Sequence, residues 1–499
     1  MMKQHHHQHP AILARLRLVT GFAATIFGSC GAAAAVAEPV GFRAGAATSN
    51  ITPALGVRLD GTISQNGPTR HVHDEIHARC LVLDDGVERI ALAVCDTTMI
   101  AASVVDRAKA LIAAQSKLAP DRVLISATHT HSTPRAVAIS DEPEHLAYLE
   151  FLARRIADGV HRAINNLAPA RIGWGAVEKP EHVHNRRWFT EGAEQRTNPF
   201  GRTGERVVMN PGREGLIRPA GPVDPEVSVL SIRHRDGRPL AVLASYGLHY
   251  VGGIPQGTIS ADYYGAFCDR LQGLLGADRQ DPPFVGIMAN GTSGDVNAVD
   301  LKGPLSRGAR SYERMNAVAD DLAAAVSRVC REIDYRDGAA LGMRQVALPL
   351  RVRKPDAAKL RWAKPLYASG QAKYAAGRPL TLPEVYAREA MRLAEYPDVV
   401  DVILQAIRIG DLGVTAMPSE VFAETGLALK RNSPFVRTMN IELANGFYGY
   451  LPTPQQHEWG GYETWPARSS SLEVGAEPAM RETLLGLLRQ LQTAAAKER

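Results

Sequence analysis

The sequence alternates apolar, β-branched segments with amphipathic helical segments, and this alternation restricts the fold more than any other feature. The apolar segments include "RVLI", "PLAVLASY" and "PFVGIMAN", and each is followed by a polar loop. The segment "HLAYLEFLARRIADGVHRAINNL" has the apolar period of an amphipathic helix. Strands interleaved with helices are typical of layered α/β proteins, because helices cover the faces of the sheets. We therefore predict an α/β fold with layered sheets and flanking helices.

Residues with side chains suited to catalysis or metal binding lie at the ends of the predicted strands. They are His129, His131, His249, Asp295, Asn297, Glu420, Tyr448 and Tyr450. In open α/β sheets, ligands bind beyond the carboxyl ends of strands. Each residue taken singly also fits a structural role, but the repetition over several strands predicts a shared cleft at these ends.

The segment "SATHTHSTPR", residues 126–135, is the most informative of these strand ends. In an extended chain, side chains two residues apart point to the same side, so His129 and His131 would face one way together. Two imidazoles at the end of a buried strand can bind a metal or transfer protons. Solvated or internally hydrogen-bonded loop histidines are the alternative, and the segment alone does not decide between them.

The first 37 residues have the organisation of an export signal. Arg15 and Arg17 precede the apolar run "LVTGFAATIF", and "AVA" before Glu38 is a small-residue cleavage pattern. We predict a signal peptide at residues 1–37, cleaved near Ala37, and a periplasmic or secreted location. A retained membrane anchor is the alternative, although the second half of the segment is only weakly apolar.

Charge excludes two classes of partner. The formal net charge is +5, and it becomes +2 without residues 1–37, which carry three basic residues and no acidic one. With basic and acidic residues nearly equal in number, the sequence does not predict a basic surface that would bind nucleic acid or an anionic membrane. Nothing later in the sequence resembles a membrane span, so we expect no integral membrane segment after signal cleavage. The sequence makes no prediction of oligomeric state.

We expect the cysteines after residue 37 to be buried free thiols. The segment "HARCLVLDDGVERIALAVC" is typical of a hairpin that turns at Asp85 and Gly86, which places Cys80 opposite Ala91. Cys95 would then lie about 13 Å farther along its strand. Disulfide Cα atoms lie within about 7 Å of each other, so this pair would not form a bridge. The four cysteines are Cys80, Cys95, Cys268 and Cys330.

The motifs between Gly41 and Trp465, taken in order, resemble the catalytic domain of the neutral/alkaline non-lysosomal ceramidases, zinc-dependent amidases that split N-acyl sphingosine. "SATHTHSTP" is close to the family's G-T-H-T-H-S-G-P, "LHY" to V-H-P, and "AMPSE" to A-V-P-G-E. "NGFYGYLPTPQQHEWGGYE" is similar to N-x-Y-x-H-Y-x-x-T-x-E-E-Y-x-x-x-x-Y-E. The resemblance implies a ceramidase-like catalytic domain over residues 38–499. Within it, the Ala-, Lys- and Arg-rich residues 355–400 are predicted to be a helical insertion.

The resemblance also implies a zinc site. The family's zinc ligands correspond to His129, His249, Glu420 and Tyr450. Neutral imidazoles and a carboxylate are ordinary Zn²⁺ ligands, and a phenolate is a tolerable one. Zn²⁺ would lower the pKa of a bound water and polarise the scissile carbonyl. His131 is then expected to hydrogen-bond the carbonyl or the oxyanion, as is Tyr462, although His131 sharing the metal stays open.

Two positions near these motifs leave alternatives open. Arg186, in the "HNRR" that carries the family's N-R, is expected either to contact substrate or to form a structural ion pair. The serine of the family's G-D-V-S-P-N is Asn297 here, which cannot attack a carbonyl but can donate a hydrogen bond to an oxyanion. Ser293 is a substitute nucleophile or, more commonly for such a loop serine, a turn former. The additional Arg187 and Trp188 indicate a different, more polar substrate pocket.

Together these features predict an exported zinc-dependent hydrolase that cleaves an amide (N-acyl) bond by metal-bound hydroxide. The substrate would be a small-molecule or lipid-like N-acyl compound other than ceramide, because the serine is replaced and the family's C-terminal β-sandwich domain is not found. Asp262 and Asp295 are expected to order loops around the site. Two alternatives remain: an ester or lactone hydrolase acting on a carbohydrate or small metabolite, and a non-catalytic binding protein.

Overall fold

The computed structural model describes residues 41–60, 67–137, 143–303 and 310–497, so the predicted signal peptide lies outside the described residues. The strands, in chain order, are β1 (Arg43–Asn50), β2 (Leu59–Asp60), β3 (His71–Val72), β4 (His77–Asp84), β5 (Arg89–Cys95), β6 (Val123–Ala127), β7 (Thr133–Pro134), β8 (Ala168–Glu178), β9 (His184–Asn185), β10 (Arg187–Thr190), β11 (Val207–Met209), β12 (Leu216–Pro219), β13 (Glu226–His234), β14 (Pro239–Tyr246), β15 (Thr258–Ile259), β16 (Val285–Asn290), β17 (Val296–Asn297), β18 (Leu341–Arg351), β19 (Val399–Ile409), β20 (Leu412–Ala416), β21 (Glu420–Val421), β22 (Arg437–Ile441) and β23 (Tyr450–Leu451). The α-helices are α1 (Ala102–Ser116), α2 (Pro143–Asn165), α3 (Asp262–Leu274), α4 (Glu313–Glu332), α5 (Ala357–Ala375), α6 (Leu382–Ala394), α7 (Ala423–Asn432), α8 (Pro454–Trp459) and α9 (Ala476–Lys497).

Two mixed sheets form the centre of the molecule. The larger sheet has eight strands in the order β16-β14-β13-β8-β1-β4-β5-β6, and the smaller has four in the order β18-β19-β20-β22. Most neighbouring strands are antiparallel, but β5–β6, β14–β16 and β20–β22 are parallel. The inner faces of the two sheets share one apolar cluster, so the sheets pack face to face.

Helices cover the outer faces of both sheets. In β5, Ile90, Leu92 and Val94 belong to the cluster between the sheets, whereas the intervening Ala91 and Ala93 belong to the cluster beneath α1 and α2. This period of two lets one strand serve both faces. Helices α3 and α4 cover the β14–β16 end of the larger sheet, and α7 and α9 cover the smaller sheet. The predicted fold class, layered sheets with flanking helices, is confirmed.

The hairpin of β4 and β5 corrects one prediction. Cys80 pairs with Ala93 rather than Ala91, because the loop has four residues, 85–88, instead of a two-residue turn. The Asp85 carboxylate accepts hydrogen bonds from the backbone N–H groups two and three residues later, which stabilises the longer loop. The thiols themselves are as predicted. The described cysteines, all buried and free, are Cys80, Cys95, Cys268 and Cys330.

A helical hairpin interrupts the smaller sheet between β18 and β19. Helices α5 and α6 pack against each other through Ala363, Ala387 and Ala390. Helix α6 begins with a capping box in which Thr381 and Glu384 satisfy each other's backbone N–H groups. This hairpin falls within residues 355–400. None of the described helices is long and apolar enough to cross a membrane.

Candidate metal centre

His129 enters the site directly after β6, in a backbone conformation that few residues with a side chain adopt. Its φ is 75°, in the left-handed region. Its backbone N–H donates to the Thr97 carbonyl at 3.0 Å, and its Nδ1 lies 2.7 Å from the Thr98 carbonyl oxygen. Because a carbonyl only accepts, Nδ1 carries the proton in this contact, which leaves Nε2 as the ring nitrogen that can bind a metal.

His249 follows β14 and is oriented in the same way. Its Nδ1 donates to the Ser293 carbonyl oxygen at 3.0 Å, and the Ser293 hydroxyl donates to Glu442 at 2.7 Å. Arg186, which can only donate, places Nη1 3.3 Å from Nε2 of His249. Burial, followed by the neighbouring His129 and Arg186, lowers the pKa of His249 well below its usual value. His249 is therefore neutral, with its Nε2 lone pair facing the site.

Four donor atoms converge at this point. Nε2 of His129 lies 3.0 Å from Nε2 of His249 and 3.1 Å from Nε2 of His131. Oε2 of Glu420 lies 3.3 Å from the first of these nitrogens and 3.7 Å from the second, and it is buried without a hydrogen-bond partner in the described structure. Lone pairs that face each other this closely repel, and a buried carboxylate oxygen without a partner is costly. A metal ion between them removes both problems, and the three histidines can hold one.

Two tyrosines lie beside the cluster. Glu420 and Tyr450 are register partners in the parallel pair β21–β23. The rings of Tyr450 and Tyr462 are 5.8 Å apart, and the Arg186 guanidinium carbon lies 5.2 Å from the Tyr450 ring centroid. Burial, and next the charge of Glu420, raises the pKa of both phenols. Even with the Arg186 cation beside it, Tyr450 would therefore stay protonated unless a metal ion binds its oxygen.

A buried ion-pair network supports the arginine side of the site. Arg186 Nε lies 2.9 Å from one oxygen of Glu463, and Arg187 Nη1 lies 2.5 Å from the other. Arg187 also donates from Nε to Gln456 Oε1 at 3.1 Å and from Nη2 to the Gly460 carbonyl at 2.7 Å. The ion-pair alternative for Arg186 is therefore present, while its Nη1 still faces the histidine cluster. Arg187 is fully buried, so it supports Arg186 and Glu463 from inside the protein rather than lining an open pocket.

The structure does not bring Asn297 into contact with the cluster through any hydrogen bond of the described residues. Its side-chain Nδ2 donates to Asn210 Oδ1 at 2.6 Å, and its side-chain Oδ1 accepts from the Val299 N–H at 2.9 Å. Its role at the oxyanion therefore stays a prediction that no contact supports. Ser293 uses its hydroxyl on Glu442 and its carbonyl on His249, so it positions a histidine.

The two aspartates order loops, as expected. Asp295 accepts from the Asn185 amide at 2.7 Å and from the Ala423 N–H at 2.8 Å. Asp262 accepts from three backbone N–H groups, among them Gly252 at 2.8 Å, in the loop after His249. Burial raises the pKa of each aspartate to about 6. Both aspartates therefore hold in place the loops next to the site residues.

Sequence reasoning missed several supporting residues. Thr98 orients His129, Glu442 binds Ser293, and Glu463 joins the two arginines. Tyr250 stacks on His131, with ring centroids 3.8 Å apart and planes 17° from parallel. Glu442 could have been found from the sequence, because it directly follows the strand β22 just as the other candidate site residues follow their strands. The others acquire their roles only from contacts across the fold.

Comparisons with known proteins agree with this architecture. A scan against protein-family models and a search of curated proteins found no match. Among solved structures, the chain is similar to neutral ceramidase from Pseudomonas aeruginosa, with a TM-score of 0.65 and 19% identity over 92% of this chain and 75% of that one. A ceramidase complexed with C2 also has a TM-score of 0.65, with 18% identity over 91% of this chain and 76% of that one. The chain therefore has the fold of neutral ceramidase, and the resemblance found in the motifs is confirmed in the fold.

Proposed function

We propose that this protein is a zinc-dependent amidohydrolase that cleaves an N-acyl bond of a small-molecule or lipid-like substrate. One observation carries the proposal: three imidazole nitrogens converge with a buried carboxylate oxygen that has no hydrogen-bond partner among the described residues, at the carboxyl ends of strands in the fold of neutral ceramidase. Histidine nitrogens with a carboxylate oxygen form a donor set that hydrolytic zinc sites use.

The spacing of the donors fits Zn²⁺. Zinc binds imidazole nitrogens at about 2.0–2.1 Å, so two nitrogens in a tetrahedral site are about 3.3 Å apart. The observed separations from His129 Nε2 are 3.0 and 3.1 Å to nitrogens and 3.3 Å to the Glu420 oxygen. His129, His249 and Glu420 would hold the ion. The resemblance supplies Tyr450 as the fourth ligand, and the position of His131 makes it the competing candidate.

A bound Zn²⁺ would polarise the scissile carbonyl and make a water molecule acidic enough to attack at neutral pH. The protein's own groups would orient the substrate. Arg186 brings a fixed positive charge to the cluster, and its buried Nη2 has no hydrogen-bond partner among the described residues. It is therefore placed to stabilise negative charge that develops on the carbonyl oxygen. The Tyr462 phenol, protonated because burial raises its pKa, can donate a hydrogen bond to the same oxygen.

Metal analysis followed by hydrolysis assays tests the proposal. We expect about one zinc per purified chain, and His249→Ala should lose it because fewer donors then hold the ion. His182→Ala is a matched control, since His182 pairs with Asp321 away from the cluster and should keep the metal. Matched N-acyl and O-acyl substrates then identify the bond. Full metal occupancy in His249→Ala, or a metal-loaded protein that cleaves only O-acyl compounds, would contradict the proposal.

We further propose that the protein is exported and that cleavage near Ala37 releases residues 38–499 as the catalytic domain. The support is the basic, apolar and small-residue order of residues 1–37. Amino-terminal sequencing of the protein recovered from the periplasm or medium should begin at Glu38. Recovery of the full-length chain in the membrane fraction would instead indicate the retained anchor.

A further inference from the structure

A cavity of about 280 Å³ opens beside the histidine cluster. His131 and Tyr250 form its inner side, and the loop of residues 250–258 forms much of the rest. Leu59, Ile254 and Pro255 add apolar surface, and His131 is the only titratable imidazole or charged group among the described lining residues. The cavity therefore suits an uncharged, apolar group placed next to the metal centre.

The loop around this cavity is held at several points. The Asp262 carboxylate accepts from the N–H groups of Val251 and Gly252, at 3.1 and 2.8 Å. The Gly253 carbonyl accepts from the Tyr312 N–H at 3.1 Å, and β15 at the far end of the loop pairs with β3. These bonds fix the loop backbone before any ligand arrives, so the size of the cavity is a property of the folded chain.

Tyr250 limits the cavity on the side of the histidines. Its ring stacks on His131, and a Cβ at Gly252 would lie 3.3 Å from the Tyr250 ring. Gly252 also has a φ of 75°, so a larger residue there is disfavoured by both the backbone and the ring. The stacked rings of Tyr250 and His131 therefore line the cavity on the side of the histidine cluster.

The volume sets a limit on what can enter. At about 30 Å³ for each water-sized group, 280 Å³ holds about nine carbon atoms. A sixteen-carbon chain needs about 480 Å³ on the same scale. The observed volume also lies just below the range of about 300–1,000 Å³ that is typical of pockets for drug-sized ligands. A long-chain acyl group would have to leave much of its length in water.

We propose that this cavity is an acyl pocket and that it binds no more than about nine carbons of the acyl group of an N-acyl substrate. The inference rests on the proposed amidohydrolase function. The acyl side is assigned to the cavity because the lining is mainly apolar, whereas a leaving amine must be protonated and solvated. The substrate class is thus an N-acyl compound of which the enzyme recognises a short segment of the acyl group.

A series of amides with one fixed amine and acyl chains of two to sixteen carbons tests the limit. Each methylene that fits should raise kcat/KM by about fourfold. Beyond about nine carbons the value should stop rising, so the sixteen-carbon amide should be hydrolysed no better than the nine-carbon amide. A further rise in kcat/KM between nine and sixteen carbons would overturn the inference and leave the amidohydrolase proposal standing.

Variants of Ile254 make the test specific to this cavity. Ile254→Trp should move the preferred acyl length to shorter chains, and Ile254→Ala to longer ones. Val87→Trp is the matched control, because Val87 is 93% exposed in the loop between β4 and β5 and should leave the preference unchanged. An unchanged length preference in both Ile254 variants would overturn the assignment of the cavity.

Calorimetric titration with free carboxylates of two to sixteen carbons separates the two proposals, because it needs no turnover. Affinity should rise with chain length and level off near nine carbons, and Ile254→Trp should lower the length at which it does so. This result without any amide hydrolysis would support the pocket and refute the amidohydrolase. Affinity that continues to rise to sixteen carbons would refute the pocket.

Discussion

Replacing Glu463 with glutamine tests how the buried arginines of the site are held. Glu463 is fully buried and accepts from Arg186 at 2.9 Å and from Arg187 at 2.5 Å. Burial alone would raise the pKa of this carboxyl, but Arg187 and then Arg186 outweigh burial and hold the pKa below its usual value. The glutamine variant keeps the shape of the side chain and removes its charge.

The loss leaves two buried guanidinium groups without the carboxylate that they share. Breaking a buried ion pair from one side costs about 3–5 kcal/mol of unfolding free energy. A unit of about 460 residues, Val40–Arg499, has an unfolding entropy of about 1 kcal/mol/K, at about 2.1 cal/mol/K per residue. The melting temperature of Glu463→Gln should therefore fall by about 3–5 °C.

Scanning calorimetry at one fixed heating rate measures this shift. Glu150→Gln is the control, because Glu150 makes its ion pairs with Arg107 and Arg154 on the exposed surface, where such pairs contribute little. Its melting temperature should stay at the parent value. If Glu463→Gln melts within about 1 °C of the parent, the guanidinium charges are screened by something other than Glu463 and the proposed support of Arg186 is wrong.

Three further predictions concern single residues. His131→Ala should keep the metal and lose about a hundredfold or more in turnover if it acts on the oxyanion, and a metal-free variant in elemental analysis would make His131 a ligand instead. Asn297→Ala should change turnover by less than about tenfold, because its amide is engaged with Asn210, and a loss as large as that of His131→Ala would place it at the reacting carbonyl. Burial, and next the charges of Arg353 and Arg187, lower the pKa of His457 to about 3. As the pH falls, His457 is protonated in the unfolded chain before it is protonated in the folded one. Its contribution to stability is therefore fully present above about pH 6.5 and is lost as the pH falls toward about 3. Melting temperatures of His457→Gln should fall less than those of the parent between about pH 7 and pH 4, and equal slopes would contradict the assignment.

The sequence by itself determined the layered α/β class and the strand ends that carry the chemistry. Both are local properties: the alternation of Ile90, Leu92 and Val94 with alanines assigns faces to β5, and the spacing of His129 and His131 places both at one strand end. It did not determine the hairpin register, because the Asp85 carboxylate binds backbone N–H groups and lengthens the loop. Side-chain capping of this kind is invisible to an apolar pattern.

Only the tertiary structure decided which strand-end residues meet. His129 and His249 are 120 residues apart in the chain, and Arg186 and Glu463 are 277 apart, so no local period relates them. The tertiary fold brings these residues together and leaves Asn297 hydrogen-bonded to Asn210. The same fold excludes water from the cluster. Burial lowers the pKa of His249 and keeps its ring neutral, and the Glu463 carboxyl stays ionised only because its two arginines hold its pKa down against burial. A sequence pattern can place a titratable residue at a strand end, but its charge and its partners depend on what the fold packs against it.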